Sequence, residues 1–446
     1  MTEVYPTSPF SDINTTEKET IKEKTKIEGR QDKYLWAIFL ILLFISIIEL
    51  YSASSREVIV GNVYFPIIRH GFMLAVGAGI VFFMSRIHYS KFLYFIPIFV
   101  LGSIAMMIYV LFFGEIINGA RRSFTLMGIA IQPSEFLKLS AVLIIAWVMA
   151  KTQSNKNDKT KNAGVIATAS VVFIMGALLF TQGLTNTLLL MAISLSMMIV
   201  GGIQLKKLLY VLVVYGVVAF AGWLYKQHNE NVRESERIEQ AVERGTMSAS
   251  VGQSRDKTWE KRIERFFDST PKYEKEMTSE NQQEMFSYMA QANGGIFGVM
   301  PGNSRETARL PLAFSDYIFA IVIEDLGFVG ATLILFIYLS LIARAGSIAA
   351  GCNRALPALL VMGCAVMIIL QALFHMAIVT GVFPVSGQPL PLISKGGTSI
   401  LITSIAFGIM LSVSRFAVQA GKKQEIKEEA DILPEEMRAF NPTQLK

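Results

Sequence analysis

Ten apolar stretches, each about the length of a bilayer crossing, fix the class of structure this chain can adopt. They fall at about residues 34–53, 66–85, 91–113, 133–150, 164–180, 185–203, 206–226, 316–342, 355–382 and 398–416. A helix rising about 1.5 Å per residue crosses a hydrocarbon layer roughly 30 Å thick in about 20 residues. Composition agrees. Hydrophobic residues make up 52% of the 446 and charged residues 17%, against about a quarter charged in soluble domains. The expected fold class is all-α and polytopic, with about ten transmembrane helices, and soluble folds are set aside. The eighth and ninth stretches exceed one crossing and are expected to tilt or extend past the membrane. Only the short segment 181–186 parts the fifth from the sixth.

Lysine and arginine give the orientation. The net charge is +6, and the positive residues sit in short loops and tails beside apolar stretches. That is the pattern of membrane topology rather than of nucleic-acid binding. With residues 1–33 in the cytoplasm, the inside loops are 86–91, 151–161, 204–207 and 344–354, followed by the tail from Lys422. All hold Lys or Arg, and 151–161 is strongly basic. The outside loops are 54–65, 114–132, 181–184, 227–315 and 383–397, and the short ones are poorer in Lys and Arg apart from Arg121 and Arg122. A multi-pass protein of the cell inner membrane, with both termini cytoplasmic, is expected. Residues 1–33 contain no apolar core of a cleavable signal peptide.

The expected organisation is a cytoplasmic tail 1–33, a transmembrane domain 34–417 and a cytoplasmic tail 418–446. The large extracytoplasmic loop 227–315 precedes the eighth helix. Its first part, 227–282, is charged, with surface helices expected at 232–244 and 257–267. The rest, "YMAQANGGIFGVMPGNSRETARLPLAFSD", turns Gly-rich and is expected to fold back onto the membrane. Both tails read as disordered or partner-binding.

The chain holds no HExxH, Walker A or GxSxG motif. His70, His88, His228 and His375 are scattered, and Cys352 and Cys364 form no CxxC pair. Zinc and ATP chemistry are therefore disfavoured. Ionisable groups at membrane depth are costly and tend to be functional. Glu135 and Lys138 in "QPSEFLKLS" lie three apart on one helical face, as a structural ion pair or as a site. Asp316 in "FSDYIFAIVIEDLG" opens the eighth stretch, where a helix-start carboxylate favoured by the dipole is the plain alternative. Glu324 and Asp325 would lie about 12–14 Å deeper on a continuous helix, serving packing or an internal polar network. Glu49 reads as a helix-end carboxylate reaching interfacial water.

Two outside loops stand out. "NGARRSF" places Arg121 and Arg122 with Asn118 and Gly119. Paired arginines there would hold a phosphate or pyrophosphate bidentately, or contact lipid headgroups. "FPVSGQPLPLISKGGTS" carries Pro384, Gly387, Pro389, Pro391, Gly396 and Gly397. So many helix breakers imply irregular backbone lining a cavity, with an ordinary surface turn as the alternative.

Four blocks carry a resemblance: "NGARRSFTLMGIAIQPSEFLKLS", "NGGIFGVMPGNS", "LPLAFSDYIFAIVIEDLGFVGA" and "GVFPVSGQPLPLISKGGTS". In order and topological place they resemble the FtsW/RodA (SEDS) family, over about residues 34–417. "NGARR" and "SKGGTS" look more like the division branch, FtsW, than the elongation branch, RodA. The resemblance implies a peptidoglycan glycosyltransferase that polymerises lipid II at the outer face of the inner membrane for septal synthesis. The implied partners are lipid II and its polyprenyl-pyrophosphate-linked glycan, a class B penicillin-binding transpeptidase, and other division proteins. The family's essential aspartate falls on Asp316 and the arginine after "NGA" on Arg122. The "QPSE" pair falls on Glu135 and Lys138, and the ninth-helix glutamine on Gln371. Ser394 and Lys395 join these as substrate-binding candidates.

There are departures. Leu312 and Phe314 stand where the family often has glutamate and histidine. Leu184 replaces the acid in "QGLTNT", Lys395 replaces the tyrosine of "SYGG", and His375 replaces an asparagine. Asp316 remains the leading catalytic candidate.

Glycan polymerisation joins a sugar 4-hydroxyl to an anomeric carbon bearing a lipid pyrophosphate. The acceptor needs a base and the leaving pyrophosphate needs cations. On the resemblance, Asp316 is that base, with inversion at carbon, and Arg122 with Lys138 holds pyrophosphate. A divalent cation, Mg or Mn, is implied to share that work, although no metal motif is present. The rivals are a lipid II flippase, a RodA-like elongation polymerase, and a scaffold whose tails recruit division proteins. A flippase needs polar groups along the whole crossing, whereas these candidates crowd at the outer end.

Overall fold

The computed structural model describes residues 31–53, 64–117, 120–126, 129–153, 162–180, 182–216, 266–267, 274, 276–278, 281–310, 313–416 and 434. All but a few residues of both tails, the expected surface helix at 232–244 and nearly all of that at 257–267 lie outside these residues, as do Asn118 and Gly119. The membrane helices are α1 (Lys33–Ala53), α2 (Tyr64–Met84), α3 (Phe92–Phe113), α4 (Pro133–Thr152), α5 (Asn162–Phe180), α6 (Leu184–Val200), α7 (205–216), α9 (Ile318–Gly351), α10 (Ala355–Val379) and α11 (Gly397–Phe416). Between α7 and α9 lies α8 (Gln282–Gly294), a polar helix packed on α9. Among the described residues seven helices are long and apolar enough to cross a membrane, α2 and α6 hold shorter apolar segments, and twelve residues of α7 are described. These match the ten stretches, so the chain is an all-α multi-pass membrane protein in its main body.

Burial sorts the helices. Helices α10 and α11 are almost wholly enclosed, while α3 and α9 turn most of their surface outward. Helix α10 packs against α4, α6, α9 and α11, and α11 against α2. Small residues allow close approach: a methyl on Gly363 of α10 would stand 2.7 Å from Val142 Cγ1 of α4 and from Met197 Cε of α6. In lipid such packing replaces the hydrophobic drive that holds soluble cores together.

Each crossing reverses direction, so the elements sort onto two faces. One face carries the start of α1, the α2–α3 turn, the α9–α10 turn and the end of α11. There Arg344 pairs with Asp32, Asp32 N donates to Ser414 Oγ at 3.3 Å, and Gln31 Nε2 donates to Ser85 Oγ at 3.1 Å. The other face carries the α3–α4, α5–α6 and α10–α11 connections and the start of α9. This is termed the site face.

Two features depart from the expected helices. The α3–α4 connection is not an irregular loop but a three-stranded antiparallel sheet, β1 (Glu115–Ile117), β2 (Ala120–Leu126) and β3 (Ile129–Ile131), in the order β1-β2-β3. Phe124 pairs with Ile131 across β2 and β3. Helix α9 is broken at Gly327, whose φ of 69° and ψ of −172° are not helical. The Gly-rich loop fills the break: Val299 N donates to Glu324 O and Met300 N to Asp325 O, both at 2.9 Å. Phe328 N donates to Gly295 O at 3.0 Å. Glycine is required because the backbones touch; a methyl on Gly327 would also stand 2.5 Å from Gly298 N. Gly302 N donates to Ser52 Oγ near the end of α1 at 3.0 Å. The Gly-rich part of the long loop thus folds back onto the helices, as expected.

Candidate active site

Asp316 lies in a turn at residues 313–316, and α9 begins only at Ile318 after Tyr317 as N-cap. It therefore does not open the helix, contrary to the sequence reading, and the first turn of α9 contains no acid. Its half-buried carboxylate lies against the α10–α11 connection. A methyl on Gly387 would stand 2.7 Å from Asp316 Oδ2, 3.3 Å from Cγ and 3.5 Å from Oδ1. Only a glycine leaves the carboxylate this room.

The connection is irregular but well bonded. Ser394 Oγ donates to Ser315 O at 2.9 Å and accepts from Leu390 N at 2.7 Å. Lys395 N donates to Phe314 O at 2.8 Å. Two consecutive residues of the connection thus grip the two residues before Asp316. Tyr338 Oη donates to Pro391 O at 2.5 Å from α9. The half-buried Lys395 holds Nζ 4.3 Å from the centroid of the Phe314 ring, a cation–π distance. Irregular backbone at this position is therefore enclosed in protein, one of the two settings in which a membrane protein tolerates it.

Beneath lies a buried polar network. Lys138 Nζ donates to Glu135 Oε1 at 2.7 Å, with Lys138 wholly buried. Gln371 Nε2 of α10 donates to Glu135 Oε2 at 3.2 Å and to Pro389 O at 3.5 Å. The three expected residues do meet, with their charges turned on one another inside the core. Their reach to the site runs through Pro389, two residues from Gly387.

The two arginines diverge. Arg121 Nη1 donates to Leu111 O at 3.2 Å and to Phe112 O. It closes the carbonyl end of α3, a helix-capping role. Arg122, one residue along β2, brings Nη2 to 3.8 Å from where a Gly183 Cβ would stand, at the N-cap of α6. From there the rim continues. Asn186 Oδ1 accepts from Gln388 Nε2 at 3.0 Å, and Gln388 neighbours Gly387. Gln388 O is hydrogen-bonded to His375 Nδ1 at 2.6 Å. Asn186, Gln388 and Gly387 were not singled out as site residues from sequence, because the Asn186–Gln388 contact spans 202 positions. Gln182, the first residue of the "QGLTNT" segment, is fully buried beside this rim, with neither side-chain atom hydrogen-bonded.

Glu324 serves the expected polar network. It accepts from Asn293 Nδ2 at 3.2 Å, Arg305 N at 3.0 Å, Glu306 N at 3.4 Å and Ser304 Oγ. Outside the spans, burial raises the Glu306 carboxyl above its usual range, Arg309 opposes this, and Glu324 adds to it. Glu49 departs from expectation: it is fully buried, its oxygens accept no hydrogen bond, and it reaches no interfacial water. Asp325 faces it within electrostatic range.

The expected divalent cation finds no ready cage. Among the described residues no three of His, Cys, Asp and Glu come together around a common point, and the rim offers one carboxylate with neutral amides. An ion such as Mg²⁺ is commonly held by one or two carboxylates together with water and substrate phosphates rather than by an all-protein cage, and Asp316 is the carboxylate this rim would give it.

Comparison with known proteins adds the lineage. The family model described as cell cycle protein, covering FtsW, RodA and SpoVE, matches residues 32–419. Stage V sporulation protein E of Bacillus subtilis (strain 168) is 28% identical over 396 residues, covering 86% of this chain and 97% of that protein. The probable peptidoglycan glycosyltransferase FtsW of the same organism is 27% identical over 412 residues, covering 90% and 94%. The fold is similar to the crystal structure of the rod shape determining protein RodA of Thermus thermophilus, with a TM-score of 0.58 at 20% identity, covering 87% of this chain and 98% of that one. A chain of a peptidoglycan synthase complex that coordinates polymerization and crosslinking gives 0.63 at 22% identity, covering 87% and 99%.

Proposed function

The chain belongs to the family of FtsW, RodA and SpoVE, and from that premise we propose that it is a peptidoglycan glycosyltransferase polymerising lipid II. The observation that carries the reading is the Asp316 carboxylate, held half-buried against Gly387 at the membrane boundary. In the reaction, a carboxylate oxygen of Asp316 takes the proton of the acceptor 4-hydroxyl as its oxygen attacks the anomeric carbon. The bond from that carbon to the lipid pyrophosphate breaks, with inversion. A well-placed general base contributes about 10²–10⁴-fold. Charge on the departing pyrophosphate falls to Arg122 and Lys395, the two half-buried cations of the site face among the described residues. Glu135, Lys138 and Gln371 position the connection that carries Gly387. No step is routed through a metal.

The orientation follows the lysines and arginines. The site face is extracytoplasmic, both termini are cytoplasmic, and the membrane is the inner one. The division branch is favoured by "NGARR" and "SKGGTS" and by the relatives named FtsW. A class B penicillin-binding transpeptidase is the proposed partner, since the solved relative sits in a synthase complex. The flippase reading is weaker, because the deeper ionisable groups Glu135 and Lys138 are locked on one another. Purified protein, with its transpeptidase, incubated with lipid II and resolved by gel should yield long glycan strands. No strands from folded complex would refute the assignment.

A further inference from the structure

Away from the site, α5 and α7 enclose a lateral cleft of about 890 Å³. Its α5 wall is Val165, Ile166, Ala169, Phe173 and Ile174, one face of a helix, and its α7 wall includes Val211 and Val214. The charged and amide side chains of the lining sit at one end. Asn162 is the first residue of α5, and Lys206 and Lys207 lie in the first turn of α7. All three therefore sit at the face opposite Asp316. At the other end Phe173 stacks on Tyr215 with centroids 6.2 Å apart, and Tyr215 Oη donates to Ala169 O. These contacts join the two helices about 12–14 Å from the lysines by helical rise.

We propose that this cleft is a binding site for one anionic phospholipid of the leaflet opposite the active site. Its acyl chain lies along Ile166, Ala169 and Phe173, and its phosphodiester rests on Lys206 and Lys207. Three observations select this occupant. A long apolar groove open to the side matches a hydrocarbon chain rather than a water-filled path. Two adjacent lysines, with no acid among the described residues of the lining, match a single negative headgroup. The connection leading into Asn162 adds Lys151, Lys156, Lys159 and Lys161 against the one acid Asp158, so the same membrane face is strongly basic. Basic pockets between helices at a membrane surface select anionic headgroups. The site differs from the catalytic one in face, in elements and in ligand.

The test titrates full-length protein in neutral detergent with phosphatidylglycerol or phosphatidylcholine and counts bound lipid by native mass spectrometry. The parent should retain phosphatidylglycerol preferentially. The double variant Lys206→Gln, Lys207→Gln should lose about fivefold in affinity per lysine and lose the preference. Ala169→Phe, which fills the cleft and keeps both lysines, should lower retention of both lipids. The glutamine changes are at the open start of a helix and should leave elution and lipid II polymerisation unchanged. Unaltered preference in the glutamine variant, or equal retention of the two lipids by the parent, overturns the proposal. Displacement of phosphatidylglycerol by far less undecaprenyl phosphate also overturns it, since the cleft would then be a polyprenyl site.

Discussion

Asp316 is positioned by what Gly387 lacks: a β-carbon at residue 387 would stand 2.7 Å from Asp316 Oδ2. The two residues lie on different connections, and each is useful only because the other is there. Gly387→Ala should fold, since the obstructed atoms belong to a half-exposed side chain that can rotate aside. The carboxylate would then leave its place. A displacement of about 1 Å can lower a rate by about 10²-fold, so strand synthesis should fall by that order at unchanged expression. Parent-like synthesis would mean that the placement of the carboxylate is not used.

The adjacent arginines should separate cleanly. Arg121→Ala removes the group that closes α3, so thermal stability should drop by about 1 kcal/mol while activity per folded molecule holds. Arg122→Ala should do the reverse, lowering lipid II turnover at normal stability. Arg122→Lys should rescue it only in part, because an ammonium cannot make the bidentate fork. Calorimetry and turnover measured on the same samples check both. Equal stability losses would remove Arg122 from substrate binding.

The buried pair makes a prediction of its own. Lys138→Met leaves Glu135 charged and uncompensated in the core, which costs about 3–5 kcal/mol, and the protein should be poorly retained in the membrane. Lys138→Met with Glu135→Gln should recover most of that. If Lys138 instead touched substrate, the single variant would fold normally and fail only in the assay.

Topology is checked with a reporter outside the described helices. Gln240→Cys should react with an impermeant maleimide in intact cells whose outer membrane is permeabilised, because 227–315 is assigned to the outside. The native Cys352 and Cys364 are buried and should give little background. Labelling at 240 only after lysis would reverse the orientation.

Much of this was legible in the sequence because lipid imposes a simple length rule, and the ten stretches returned as ten helices. The meeting of Glu135, Lys138 and Gln371, and the irregular, enclosed backbone of "FPVSGQPLPLISKGGTS", were legible through the resemblance and the helix breakers. What escaped was local. The sheet at 115–131 did not announce itself, because β1 and β3 have three residues each, too few for alternation to register, and the first half of β2, "ARRS", does not alternate. The break in α9 turned on Gly327, a single glycine in an apolar run, and its partner Gly298 lies on another segment. Glu49 looked interfacial because a helix end usually is, yet tertiary packing covers it. The Asn186–Gln388 link depends on the packing of α6 against the α10–α11 connection, which no local pattern encodes.

The central claim is that Asp316 acts as the base. Asp316 precedes the N-cap and makes no first-turn contribution to α9, so a neutral isostere should not disturb the helix. Asp316→Asn keeps shape and polarity but cannot take a proton from a hydroxyl at neutral pH. The most direct measurement is the rate of strand formation from lipid II by purified Asp316→Asn protein with its transpeptidase, beside a binding assay for both. The account predicts normal elution and normal partner and lipid II binding, with polymerisation lowered about 10²–10⁴-fold. A variant that polymerises within a few-fold of the parent would contradict it.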